Sequence, residues 1–407
     1  MMELPQVRIR ASYLAGSGSR PLTKIPHCCL PPLALYIHVP WCVRKCPYCD
    51  FNSHKTPDVL PEAQYLEALR ADLEQALPLI WGRPIVSVFI GGGTPSLLSG
   101  TAIAEMISMI RAYLPLLPTA EITLEANPGT VEAQKFKAYG AAGVNRLSLG
   151  IQSFNDKALN ALGRIHDSTQ AKAAINYALD AVERVNLDVM YALPQQSVDE
   201  ALTDIQTALS YDTKHLSLYH LTLEPNTVFA KYPPVLPSDD DSAIMQDAII
   251  ELTAQHGYEH YEVSAYAKPG YQAEHNRNYW EFGDYLGIGP GAHSKLSFPD
   301  RIVRQSRTRN PQNWMEQAVL RNHSHLAEDK TVDAVDLPFE FMLNALRLRD
   351  GVPADYFEER TGQALTHIVP TIRKAIEKGF IDPHPSRIRT TELGWRFLNN
   401  VQEMFLE

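Results

Sequence analysis

The chain has 407 residues, 45% of them hydrophobic, with a formal net charge of -10; that is enough apolar material for one large core or a large domain with a smaller one. No long basic stripe offers itself to nucleic acid, and no apolar run reaches the roughly 18 residues of a membrane span. Met1 to Leu30 carries Arg8, Arg10, Arg20 and Lys24 but no apolar segment of a secretory signal, so a soluble cytoplasmic protein is expected, with neither a nucleic-acid partner nor a transmembrane segment.

Residues 1–30 read as a poorly ordered extension, broken by Gly16-Ser17-Gly18-Ser19 and by Pro21 and Pro26. Cys28 and Cys29 fall in it and are taken as thiols outside the site. From Leu33 onward, short runs rich in Val, Ile and Leu alternate with stretches of helical period. Strands are predicted at Leu35–Val39, Ile85–Ile90, Glu121–Glu125, Arg146–Gly150, Asn186–Met190 and His215–Leu221. Helices are predicted between them at Pro61–Ala76, Ala102–Leu114, Val131–Tyr139, Asp156–Leu162, Ser168–Ala181 and Ser197–Ser210. Such a series predicts an α/β fold with parallel strands, a partial or full barrel, whose reactive groups gather at the carboxyl ends of the strands. This core is expected over residues 31–265. Residues 266–330 read as a connecting segment containing His275-Asn276-Arg277-Asn278-Tyr279-Trp280. Residues 331–407 read as a mostly helical, winged-helix-like domain, with helices at Leu337–Leu348, Ala354–Thr361, Leu365–Lys378 and Thr390–Phe405 and a wing hairpin from Gly379 to Arg389.

All five cysteines lie within the first 49 residues, which excludes a disulfide framework spread through the fold and points to metal or redox chemistry. Cys42, Cys46 and Cys49 stand at C-x3-C-x2-C directly after the first strand. Three thiolates can hold three corners of an iron–sulfur cubane and leave the fourth iron open. A zinc site is the competitor and would need a fourth ligand, such as His38 or His54. Gly91-Gly92-Gly93-Thr94-Pro95 follows the second strand and permits close approach of backbone to a ligand. Glu125, Gln152 and Asp188 sit at or near later strand ends, and Arg164 on a loop. Carboxylates there suit a ribose or an ammonium, and an arginine suits a carboxylate.

The cysteine motif is the signature of the radical S-adenosylmethionine (SAM) superfamily. From Leu33 to Glu407 the chain resembles the oxygen-independent coproporphyrinogen III oxidase family, and most closely its haem-chaperone HemW branch. The resemblance runs through Tyr36 to Cys42, Cys49-Asp50-Phe51-Asn52-Ser53, Gly91 to Pro95, Ser148 to Phe154, Asp188 to Pro194, His275 to Trp280, Gly287 to Ser294 and Thr391 to Trp395. It implies a radical SAM partial (β/α) barrel with a mostly helical C-terminal domain. It implies a [4Fe-4S] cluster on Cys42, Cys46 and Cys49, and SAM contacts from Tyr36, Tyr48, Gly93, Thr94, Pro95, Glu125, Gln152, Arg164 and Asp188. It further implies haem binding by the segment that begins at His275, with His260 and His293 as other histidines to weigh, and delivery of haem to an acceptor protein, a membrane-bound respiratory protein being one candidate. Members that decarboxylate coproporphyrinogen III carry a cysteine where Phe51 stands, and an Arg-Tyr-Thr-Ser-Tyr-Pro segment that has no counterpart before Tyr36. A coproporphyrinogen III dehydrogenase and a radical SAM alkyl- or methyltransferase are the competing readings. Ala192 departs from the family pattern, which has glycine there.

Overall fold

The computed structural model describes residues 30–129 and 132–406. The extension with Cys28 and Cys29, and Val131 at the start of the third predicted helix, lie outside the described residues.

All six predicted strands form: β1 (Leu33–Val39), β2 (Ile85–Gly92), β3 (Leu116–Ala126), β4 (Arg146–Gln152), β5 (Arg184–Tyr191) and β6 (His215–His220). They lie side by side in chain order, every neighbouring pair parallel. Their residues are buried almost without alternation, as Leu35, Ile37, Leu147, Leu149, Leu187 and Val189 show; strands covered on both faces read as such continuous apolar runs. The helices between them are α1 (Glu62–Ile80), α2 (Gly100–Tyr113), α3 (Glu132–Ala142), α4 (Asp156–Ala161), α5 (Ser168–Ala181) and α6 (Val198–Leu209). Their starts are written in side chains that satisfy free backbone N–H groups: Asp167 with Gln170 and Ser197 with Glu200 each form a reciprocal capping box. The Ser99 hydroxyl caps α2 and donates to Glu62 at 2.7 Å, tying α2 to the start of α1.

After β6 come α7 (Val228–Lys231), α8 (Asp239–Gln255) and the hairpin β7 (Glu259–Glu262) and β8 (Ala265–Ala267), with β8 antiparallel to β6. The helix α9 (Glu274–Trp280) follows. Residues 266–330 are more than the connection predicted for them. They contribute β9 (Asp284–Ile288), parallel to β1, then β10 (His293–Ser297), β11 (Ile302–Arg307), α10 (Pro311–Ala318) and β12 (Leu326–Thr331, overlapping residue 331). Among the described residues the sheet therefore has twelve strands, in the order β12-β11-β10-β9-β1-β2-β3-β4-β5-β6-β8-β7. The physical reason is that these strands bury charges that pair internally. Lys295 donates to Asp284 at 3.0 Å, and Arg307 and His325 both reach Asp72 of α1, at 3.3 and 3.1 Å. A polar pattern of this kind does not advertise a buried strand.

The C-terminal region is helical as predicted: α11 (Leu337–Ala345), α12 (Asp355–Thr361), α13 (Val369–Glu377), α14 (Glu392–Arg396) and α15 (Leu398–Glu403). The last predicted helix is divided at Phe397, whose ψ of 36° breaks the helical run. The wing forms where Ile381 bridges Thr390 and Arg387–Ile388 pairs with Val352–Pro353. Phe341, Phe357, Ala375, Ile381 and Val401 build a second core against Phe282 and Ile302. No helix among the described residues is long and apolar enough to cross a membrane.

Candidate functional site

The cysteine loop leaves β1 at Val39 and is held closed by main chain. Trp41–Cys42 pairs with His54–Lys55, His54 N–H donates to Pro40 O at 2.7 Å, and Thr56 N–H donates to Cys42 O at 2.9 Å. Cys42, Cys46 and Cys49 are free, half-buried thiols. Burial pushes the thiols of Cys42 and Cys49 above their ordinary range, so proton loss there is favoured only when a cation takes the proton's place. A ring of hydrogen bonds ties two of them together. Thr94 Oγ1 donates to Cys42 Sγ at 3.4 Å and accepts from Asn127 Nδ2 at 2.9 Å. Asn127 Oδ1 accepts from Arg164 Nη2 at 2.5 Å, and Arg164 Nη1 reaches Cys46 Sγ at 3.6 Å. Arg164 also donates to Gly150 O at 2.8 Å, while its Nε has no partner among the described residues. Tyr48 lies beside Arg164 and Cys46, its hydroxyl held protonated by burial. Asn127 stands in the segment Thr123-Leu124-Glu125-Ala126-Asn127-Pro128 but has no role in the reading of the sequence; its one signal there is a place two residues after Glu125, just past the end of the same strand.

The glycine turn is tight on every side. A Cβ on Gly93 would lie 2.5 Å from Trp41 O, and one on Gly92, whose φ is +110°, would lie 2.6 Å from the His38 ring. Gly92 N–H donates to Glu125 Oε2 at 3.0 Å. Glu125 is pushed up to about 8, by burial first and then by the negative charge of Asp188. Burial pushes Asp188 up to about 6, even though Asn186 and Ser148 donate to it at 2.8 and 3.2 Å. Two carboxylates beside one another without a cation of their own favour a positively charged or hydrogen-bond-donating ligand. Gln152 ends β4 at a register shift with φ +66°, a bulge that re-aims its side chain, and its amide makes no hydrogen bond to the described residues. Ala192 also adopts a left-handed φ, +57°, which is the reason glycine is usual there.

The histidines of the zinc alternative are engaged elsewhere, His38 through both ring nitrogens and His54 through one. His38 Nε2 faces Asn52 O and its Nδ1 faces the Tyr36 hydroxyl, each at 2.8 Å. His54 is directed to Asn52 Oδ1 and Arg309 O. Among the described residues no three His, Cys, Asp or Glu side chains gather where one metal ion would sit.

Beside the turn opens a cavity of about 690 Å³, within the usual range for small-molecule sites. Its lining includes Tyr36, Gly92 and Glu125 of the strand ends and Leu343 and Asn344 of α11. Its walls carry the rings of Phe51, Phe89, Tyr279, Trp280 and Tyr285 and the charges of Lys295, Arg304 and Arg309. The α9 segment thus splits: Tyr279 and Trp280 face the cavity, whereas His275 is buried beneath it. His275 Nδ1 is 3.2 Å from Glu121 Oε1, and its ring stacks on Phe89 at 4.2 Å.

The chain matches the radical SAM superfamily over residues 36–208 and the HemN C-terminal domain over residues 332–397. It is 48% identical over 379 residues to the heme chaperone HemW of Escherichia coli strain K12, covering 93% of this chain and 99% of that one. It is 33% identical to heme chaperone HemW of Bacillus subtilis strain 168, covering 91% of this chain and 98% of that one. Among solved structures, Escherichia coli coproporphyrinogen III oxidase (HemN), a radical SAM enzyme, superposes with a TM-score of 0.78 at 22% identity, covering 94% of this chain and 91% of that one, and so shares the fold. Identity of this level, sustained along nearly the whole of both chains, means that this chain belongs to the HemW family of the radical SAM superfamily.

Proposed function

We propose that the protein is a cytoplasmic haem carrier: it holds a [4Fe-4S] cluster on Cys42, Cys46 and Cys49, binds SAM beside it, takes up haem in the aromatic cavity and passes haem to an acceptor protein. The donor set fits the cluster, with three free thiols and the flanking Arg164 and Thr94 contributing positive and donor groups to their sulfurs. The SAM assignment uses the glycine turn at Gly93, Thr94 and Pro95 for close backbone approach, Glu125 and Asp188 for cationic and hydroxyl groups, and Gln152, Arg164, Tyr36 and Tyr48 as the surrounding wall. When bound, cluster and SAM together supply one-electron chemistry, and the chain's own part is to orient the ligands and exclude water.

The observation that carries the haem reading is the cavity: aromatic walls, three cationic side chains along it, and an indole N–H on Trp280 that has no partner among the described residues. A flat apolar ring system bearing carboxylates matches that lining. Phe51, 58% exposed on the cavity wall, stands where the dehydrogenases have a cysteine and offers no acid–base or thiol chemistry to a propionate side chain. The test is anaerobic reconstitution followed by two incubations, one with haem and one with coproporphyrinogen III and SAM. Haem retention with a distinct Soret band and no protoporphyrinogen IX supports the carrier; turnover of coproporphyrinogen III replaces it with the dehydrogenase reading.

A further inference from the structure

Building on the haem-carrier reading, we propose that His293, at the start of β10, supplies the protein ligand to the haem iron, and that Arg309 on the same wall receives a propionate carboxylate. A histidine can ligate iron only through a ring nitrogen with a free lone pair that reaches the site. Two histidines line the cavity, His38 and His293. His38 is spent: a carbonyl only accepts, so Nε2 must donate to Asn52 O, and Nδ1 then uses its lone pair on the Tyr36 hydroxyl. His275 is 5% exposed, is tied to Glu121, and lies under Phe89, and Phe89 rather than His275 lines the cavity. His260 lies elsewhere, stacked on Tyr266 at 4.2 Å with Nε2 at Val263 O.

His293 differs in each respect. Neither of its ring nitrogens makes a hydrogen bond among the described residues, and the side chain is exposed to the cavity. Its backbone is fixed, paired to Ser306 of β11 and packed on Gly287, where a Cβ would collide with His293 O. An uncommitted ring on a backbone fixed in a strand is a good mount for a ligand. Burial first, opposed by Glu328 and aided by Arg304, Arg309 and Arg307, lowers the imidazole from its ordinary value and so favours its neutral, ligating form. Arg304 is already committed to Glu340 at 2.6 Å and to the Tyr285 hydroxyl at 2.7 Å. Arg309 makes no ion pair among the described residues, and is the guanidinium left for a carboxylate.

The experiment titrates ferric haem into the full-length wild type, His293→Ala, His293→Met and His275→Ala, following the Soret band and the low-temperature EPR spectrum. His293→Ala is expected to lose the wild-type histidine-ligated signature and to regain it with added imidazole. His293→Met is expected to bind with a shifted band, which shows that the site is folded. His275→Ala is expected to keep the wild-type signature in whatever fraction folds. A wild-type spectrum in His293→Ala overturns the ligand assignment and leaves the carrier reading intact. Absence of haem binding by the wild type overturns the carrier reading, and this proposal with it.

Discussion

Glu121 and Glu125 stand four residues apart on β3, on the same face of one strand, and they behave in opposite ways. Glu121 lies within the sheet. Burial pushes it up, but Arg146 at 3.7 Å and His275 at 3.2 Å hold it down at about 2, and Arg184 lies 3.6 Å away. Glu125 lies at the strand end, where among the described residues its hydrogen bond is from Gly92 N–H; burial and then the charge of Asp188 raise it to about 8, against a smaller pull from Arg146, whose nearer partner is Glu121. Asp72 and Asp284 are of the first kind, each compensated by buried cations; Asp188 is of the second. A carboxylate that the protein neutralises by itself is part of the scaffold. One that it leaves uncompensated at the mouth of a parallel sheet is left for something that binds.

The sharpest test of that division is Cys46→Ala. It sits wholly on the ligand side, so the cluster should vanish, from about four irons and four sulfides to none, while far-UV circular dichroism matches the cluster-free wild type. A full iron complement in the variant would sink the cluster assignment. Next comes Glu121→Ala, on the scaffold side. Leaving Arg146 buried without its partner should cost about 3–5 kcal/mol, read by denaturant unfolding of the cluster-free protein; a loss below about 1 kcal/mol, the worth of a surface pair, would erase the distinction.

Glu125→Gln should do the reverse. It replaces a group that folding holds largely protonated at neutral pH although the unfolded chain ionises it, so stability at pH 7 should rise rather than fall, while SAM affinity should fall about tenfold, the loss of about one hydrogen bond to a charged group. Unchanged SAM affinity in a titration of the reconstituted variant would make Glu125 a scaffold residue after all. The last test is the pH slope. Glu125 has its folded value raised from the ordinary 4.5 to about 8, so its contribution is fully present below pH 4.5 and is lost as pH rises through about 8. Glu121 has its value lowered to about 2, so its contribution is present above pH 4.5 and is lost as pH falls through about 2. Glu125→Gln should therefore flatten the decline in stability between pH 4.5 and 8, measured on cluster-free protein, and Glu121→Gln should not.

Much of this was legible in the residues because the parallel strands are buried on both faces: Leu147, Leu149, Leu187 and Val189 announce themselves by composition alone. The strand ends were legible for the same reason, since a polar residue that closes an apolar run stands out against it. What stayed hidden depends on partners distant in sequence. Lys295 and Arg307 read as surface residues until Asp284 and Asp72 are placed beside them. Asn127 is an ordinary turn residue until Thr94 and Arg164 meet on its amide. His275 shares a motif with Tyr279 and Trp280, but a seven-residue helix points them in different directions, and only packing decides which face meets the cavity.

The place of β9 carries a consequence for how the protein is made. β1, which leads into the cysteine loop, pairs on one edge with β2 and on the other with residues 284–288. A chain still emerging from the ribosome, with residue 284 not yet exposed, has the cysteine strand as a bare sheet edge and lacks the cavity wall that carries His293 and Arg309. Haem offered to such a nascent chain would find the proposed cavity incomplete, although the three cysteines and the strand-end residues from Tyr36 to Asp188 are already made. A fragment ending near residue 265 would keep all three cysteines, yet it would expose their strand to pairing with other chains.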